Sequence, residues 1–128
     1  MADDISVLLI DDEVTLRTMV RHRLEKRDGY TVHLAKNGAK GLKLARKKAP
    51  TIILLDWMMP GMSGIEVLQN LRKTPKTASI PVYMLTAKGK MGDAEKAFAA
   101  GADGYFTKPI DLKELSERLR RRLDELGQ

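Results

Sequence analysis

Thr51-Ile52-Ile53-Leu54-Leu55-Asp56-Trp57-Met58-Met59-Pro60-Gly61 is the stretch on which the fold turns. Its apolar run, Ile52 to Leu55, is short, built of Ile and Leu, and does not alternate with polar residues, as suits a strand buried on both faces of a parallel sheet. A carboxylate follows directly in strand register. Asp56 therefore falls at the sheet edge, where its desolvation calls for a cation or hydrogen-bond donors.

Working outward, similar runs lie at Val7 to Ile10 and at Ile80 to Leu85, with Pro81 near its start, and a weaker one at Val32 to Ala35. Helical spacing separates them: Leu16, Met19, Val20 and Leu24 in one segment, and Ile65, Leu68 and Leu71 in another. Asn37-Gly38 would suit a hairpin turn, but no alternating strand follows it; Ala39, Leu42 and Ala45 instead predict a helix up to the stop at Pro50. A shorter helix around Asp93 to Ala100 ends at Gly101, and Gly104 to Thr107 supplies a fifth strand. The last helix carries the stripe Leu112, Leu115, Leu119, Leu123 and Leu126 and opens on Asp111-Leu112-Lys113-Glu114, the spacing of a capping box. The order is strand-helix five times over. Right-handed crossovers then give an open α/β sheet with helices on both faces and a ligand site outside the carboxyl ends of the strands.

The chain has 128 residues, 43% of them hydrophobic, which suits one domain spanning 1–128. The absence of cysteine excludes disulfide scaffolds, thiolate metal sites and thiol nucleophiles, and two histidines, His22 and His33, make a histidine-based metal site a poor reading. No apolar run approaches a membrane span and the first residues are acidic, unlike a signal or transit peptide, so a soluble, cytoplasmic protein is expected. The formal net charge of +6 puts an acidic partner or nucleic acid on the list.

Four strands deliver polar groups to one edge: Asp11, Asp12 and Glu13 after the first, Asp56 after the third, Thr86 after the fourth, and Lys108-Pro109 after the fifth. Singly, each has a plainer reading. Asp11 and Asp12 suit helix N-caps, Thr86 a strand end, and Lys108 a solvated turn. Together they do not, because two converging carboxylates about 5 Å apart repel by roughly 3 kcal/mol at an effective dielectric near 20. Lys108 offsets part of this, and an oxygen-only site with room for phosphate oxygens and water favours Mg²⁺ over zinc for the rest.

Val7 to Glu13, Leu54 to Gly64, Pro81 to Ala87 and Gly101 to Pro109 together resemble, in order and spacing, the receiver domains of two-component response regulators, the CheY-like family. The resemblance implies a flavodoxin-like (βα)5 fold with parallel strand order 2-1-3-4-5. It implies that Asp56 accepts a phosphoryl group from a sensor histidine kinase or histidine phosphotransfer protein, and that Asp11, Asp12, Asp56 and the backbone carbonyl of Met58 hold Mg²⁺. Lys108, aimed inward by a cis bond to Pro109, and the Thr86 hydroxyl would neutralise the phosphoryl oxygens. Small Ala87 would leave the reacting group room. Thr86 and Tyr105 would relay the change to the face made by helix four, strand five and helix five, toward an effector the sequence does not name. Such a domain catalyses its own phosphorylation and slow autodephosphorylation and is not otherwise an enzyme. Met58 and Lys88, each two residues beyond a site residue, stand where the family tunes the lifetime of the phosphoryl group; Met58 is expected to lengthen it.

Arg118 and Arg120 match basic positions of the OmpR-like dimer, but Ala99 and Gly104 stand where its acids would be, so that mode of dimerisation is not expected; the unphosphorylated chain is expected to be a monomer. A flavodoxin-type cofactor binder would lack its phosphate loop, and the acids after strand one would repel an anionic cofactor. A haloacid-dehalogenase phosphatase would need an Asp at Met58. A receiver-fold scaffold that is not phosphorylated is the remaining alternative. Residues 17–48 carry eleven bases and two acids, whereas residues 1–16 carry five acids and no base. The basic excess thus lies in the first two helices, and is expected to steer an acidic partner protein, with no direct nucleic-acid or membrane contact. Whether the chain stands alone or belongs to a longer protein stays open.

Overall fold

The computed structural model describes residues 5–87 and 91–128, the side chains of 91–93 excepted. Strands β1 (Ser6–Ile10), β2 (Thr31–Ala35), β3 (Ile52–Asp56), β4 (Val82–Ala87) and β5 (Gly104–Lys108) alternate with helices α1 (Val14–His22), α2 (Gly38–Lys48), α3 (Gly64–Lys73), α4 (Met91–Ala99) and α5 (Leu112–Glu125). The sheet is parallel throughout and ordered β2-β1-β3-β4-β5, as the sequence led us to expect.

Strand alternation divides the core. Val7, Leu9, Ile52, Leu54, Leu85 and Phe106 face α1 and α5, while Leu8, Ile10, Ile53, Leu55 and Met84 face α2, α3 and α4. Every residue of β3 is buried, and each Leu or Ile so removed from water contributes about 1.5–3 kcal/mol. That burial holds the central strand, and with it Asp56, at a fixed height in the sheet.

Several boundaries differ from expectation. β4 starts after Pro81, because Pro81 has no N–H and Ile80 N bonds back to Thr77 O in a turn; the strand instead continues through Thr86 and Ala87, paired with Thr107 and Lys108. α1 does not end where its periodicity suggests but widens into a π-type turn over Arg23–Arg27, closed by Tyr30 N donating to Leu24 O at 2.9 Å. α4 begins at Met91, two residues before the expected Asp93. The capping box read at α5 is only half formed: Asp111 Oδ1 accepts from Glu114 N, but the Glu114 carboxylate turns to Arg118 at 3.4 Å. A complete box stands at α3 instead, between Ser63 and Glu66.

Candidate functional site

The register sets the site. Ile10 pairs with Leu55, so Asp11 and Asp56 follow at the same height on adjacent strands, and Ala87 pairs with Lys108 on the far side. The ladder continues past the strand ends, with Asp11 N donating to Ala35 O and Trp57 N to Leu85 O, both at 3.0 Å. The acids are therefore presented from ordered, extended backbone.

Carboxylate oxygens of Asp11, Asp12 and Asp56 lie within 4.8 Å of one another. Asp11 is fully buried and Asp56 is 4% exposed, whereas Asp12 faces solvent. Lys108 Nζ sits among them, 3.0 Å from Asp11 Oδ2, 3.3 Å from Asp56 Oδ1 and 3.5 Å from Glu13 Oε1. Only the Glu13 contact is aligned as a hydrogen bond, which leaves buried Asp11 Oδ2 with an ion pair and no hydrogen-bond donor. A divalent cation fits this donor set: hard carboxylate oxygens, one of them buried and short of partners, in a site whose acids outnumber its cation. The peptide bond from Lys108 to Pro109 is cis, in keeping with the resemblance.

The electrostatics follow from this crowding. Burial, and then the Asp11 charge, push the Asp56 carboxyl up to about 6, against the lowering pull of Lys108 and the Met58 backbone N–H. Burial acts to lower the Lys108 ammonium, but close contact with Asp11 and then Asp56 outweighs it and holds that group above the usual lysine value. At neutral pH Asp56 is mostly ionised and Lys108 is charged. An ionised, buried carboxylate thus faces a cation held close to it.

Thr86 is buried at the end of β4, its hydroxyl making only a 3.3 Å bond to its neighbour's carbonyl, Ala87 O. Met58 is 73% exposed at the rim, and Trp57 is half-buried beside Asp56. Tyr105 is half-buried on β5, edge-to-face with Phe98 at 6.1 Å. Lys88 lies outside the described residues. Neither Asp11 nor Asp12 is the N-cap of α1; that position is Glu13, without a side-chain cap, and Asp11 Oδ1 accepts from Glu13 N at 2.8 Å in a tight Asx-type turn. Arg118 and Arg120 are engaged within the chain, Arg118 stacked 4.2 Å from the Phe106 ring and Arg120 over Tyr30.

Two contributors escaped the sequence reading. Glu13 was read only as part of an acidic run, yet it is the hydrogen-bond partner of Lys108. Arg17 Nη1 donates to Asp11 O at 2.7 Å, bracing the acidic turn; its place one helical turn after Glu13 was the available signal. Gly64 is a third support. A Cβ there would strike the Asp56 carbonyl and come within 2.9 Å of Trp57 Cα, so only glycine lets α3 start this close to the end of β3.

Residues 7–120 match the profile of the response regulator receiver domain. The chain is 43% identical over 125 residues to the DNA-binding dual master transcriptional regulator RpaA of a Synechocystis species, and 39% identical over 122 residues to the phosphate regulon transcriptional regulatory protein PhoB of Pseudomonas aeruginosa. These alignments take in 95% of this chain but 52% and 53% of the relatives, so the chain spans about half the length of the curated relatives it matches. Among solved structures, chemotaxis protein CheY4 of Vibrio cholerae superposes with a TM-score of 0.86 at 32% identity, covering 92% of this chain and 98% of that one. A response regulator structure from Chloroflexus aurantiacus gives 0.86 at 31% identity, over 92% and 96%. With profile, relatives, sheet order and acid cluster in agreement, the chain belongs to the response regulator receiver domain family, and its function is that of a phosphoacceptor signalling switch.

Proposed function

We propose that Asp56 is the phosphoacceptor of this switch, taking a phosphoryl group from a phosphohistidine on a sensor histidine kinase or histidine phosphotransfer protein. A carboxylate oxygen bonds to phosphorus as the phosphorus–nitrogen bond breaks, and the histidine keeps the electron pair. The observation that carries this is the meeting of Asp11, Asp12 and Asp56 around Lys108, with Asp56 ionised yet buried.

Asp11, Asp12, Asp56 and the Met58 carbonyl would hold Mg²⁺, which when bound supplies the positive charge that phosphoryl transfer needs on the transferring oxygens. Lys108 swings no great distance to do its part: its ammonium already touches Asp56 and neutralises an oxygen of the incoming group. The Thr86 hydroxyl, held now only by a long bond to Ala87 O, is free to donate to another. Thr86 and Tyr105 pass the change to the surface made by α4, β5 and α5. The domain acts on itself, gaining and slowly losing one phosphoryl group, and works in the cytoplasm as a monomer until phosphorylated.

The test uses Trp57. Its fluorescence is expected to change on adding Mg²⁺ and again on adding acetyl phosphate, with intact mass rising by one phosphoryl group. Asp56→Asn is expected to abolish the second change and the mass gain. A wild-type protein that responds to neither reagent would overturn the assignment in favour of an unphosphorylated scaffold.

A further inference from the structure

The basic excess of residues 17–48 has a definite address. Lys40, Lys43 and Lys47 recur at three- and four-residue spacing, so they share one face of α2. With Lys36 and Arg17 they line a cleft of about 540 Å³ whose remaining walls are Leu34, Ala35 and Leu44. The four lysines are exposed, and no acid lines the cleft. Among the described residues none of these five cations enters an ion pair, although nine such pairs form elsewhere.

This arrangement works against the fold. Lys36 and Lys40 flank the N-cap Asn37, where the helix dipole disfavours positive charge, and the first turn of α2 holds no acid. Lys40 with Lys43, and Lys43 with Lys47, are like-charge neighbours on the helix. Only Lys47, in the last turn, sits where the dipole favours it. Nothing among the described residues offsets the repulsion, and a bound anion would.

The apolar wall decides what kind of anion. A nucleic-acid backbone would use the lysines but leave Leu34 and Leu44 without a partner, and the cleft has no aromatic side chain on which single-stranded bases could stack. We propose that the cleft docks an acidic amphipathic segment of a partner protein, its leucine-like side chains on Leu34 and Leu44 and its carboxylates on Lys36, Lys40, Lys43 and Lys47. Arg17 ties the cleft to the acid cluster through Asp11 O, so a partner bound there sits beside the phosphoacceptor without using it. The inference goes beyond the phosphoacceptor reading and does not need it.

The experiment uses the full 128-residue chain without Mg²⁺ or phosphodonor, so that a failure of phosphorylation leaves it untouched. Fluorescence anisotropy follows a labelled peptide of Glu and Leu with the leucines at helical three-four spacing, its scrambled counterpart, and single- and double-stranded oligonucleotides. Salt is held at about 150 mM, where exposed charges are screened beyond roughly 8 Å. The patterned peptide is expected to bind about tenfold more tightly than the scrambled one. Lys40→Glu/Lys43→Glu/Lys47→Glu is expected to lose that binding, while Lys113→Glu/Arg121→Glu on α5 keeps it within about twofold. All five positions are exposed, so both variants fold, as circular dichroism checks. Equal binding of the two peptides, tighter binding of an oligonucleotide, an unaffected triple variant, or no peptide binding up to about 1 mM would each overturn the proposal.

Discussion

At the amino end of β5, Asp103 accepts from Arg72 Nη2 and Arg122 Nη2, each at 3.1 Å, and from Val82 N at 2.9 Å. At the carboxyl end of the same sheet, Asp11, Asp56 and Glu13 share the single ammonium of Lys108, and Asp12 clusters with Asp11 and Asp56. One end gives an acid two cations and a backbone N–H; the other crowds four acids about one cation. The difference teaches that acidic residues alone do not mark a site. What marks it is a deficit of donors, and only the Lys108 end has one.

That contrast can be broken first by metal. Mg²⁺ should stabilise the protein at pH 7 by up to about 2.7 kcal/mol at a hundredfold excess over its dissociation constant, read by urea denaturation. Asp11→Asn should remove most of this gain, and Asp103→Ala should leave it intact. Equal losses in both variants would erase the distinction between the two ends.

Next, Asp103→Ala should cost about 2 kcal/mol, because it removes the acceptor that Arg72 Nη2, Arg122 Nη2 and the Val82 N–H share. A cost near zero would mean that the amino end is no better satisfied than the other.

Asp56→Asn should act with the opposite sign. Its carboxyl, about 6 when folded against 3.8 ordinarily, binds its proton more tightly in the folded chain. Metal-free stability should therefore fall as pH rises from about 4 to about 6, then level off, because the unfolded chain gives up that proton first. Asp56→Asn should flatten this slope and add on the order of 1–2 kcal/mol at pH 7. A variant less stable than wild type, with the slope unchanged, would mean that Asp56 is not the strained group. The smallest effect is expected at the rim: Met58→Asn should speed loss of the phosphoryl group by a few fold, under about 1 kcal/mol, in a phosphate-release assay.

β1, β3 and β4 were legible because parallel buried strands read as apolar runs, and Asp56 because a carboxylate ending such a run is conspicuous. Thr86 and Lys108 were legible only once the sheet order set β4 beside β3 and β5 beside β4. The π-type turn was not, since Leu16, Val20 and Leu24 keep helical spacing through it. Nor was the choice between two capping boxes, which depends on whether Glu114 finds Arg118 nearby. Arg17 and Glu13 were hidden for a related reason: their roles consist of contacts with Asp11 and Lys108 that spacing alone does not specify.

Gly64 has a consequence for how a change at Asp56 would spread. Its N–H donates to Trp57 O at 2.9 Å, and Ser63 and Glu66 lock the helix start that follows, so the loop from Trp57 to Gly64 is a ring fastened at its neck. On the other side of Asp56, the Thr86 hydroxyl has one long bond and Tyr105 is half-open to water. Displacement at the acceptor meets a stiff wall toward α3 and a compliant one toward β4 and β5. A movement that starts at Asp56 would thereby be steered to the side whose side chains give, Thr86 and Tyr105.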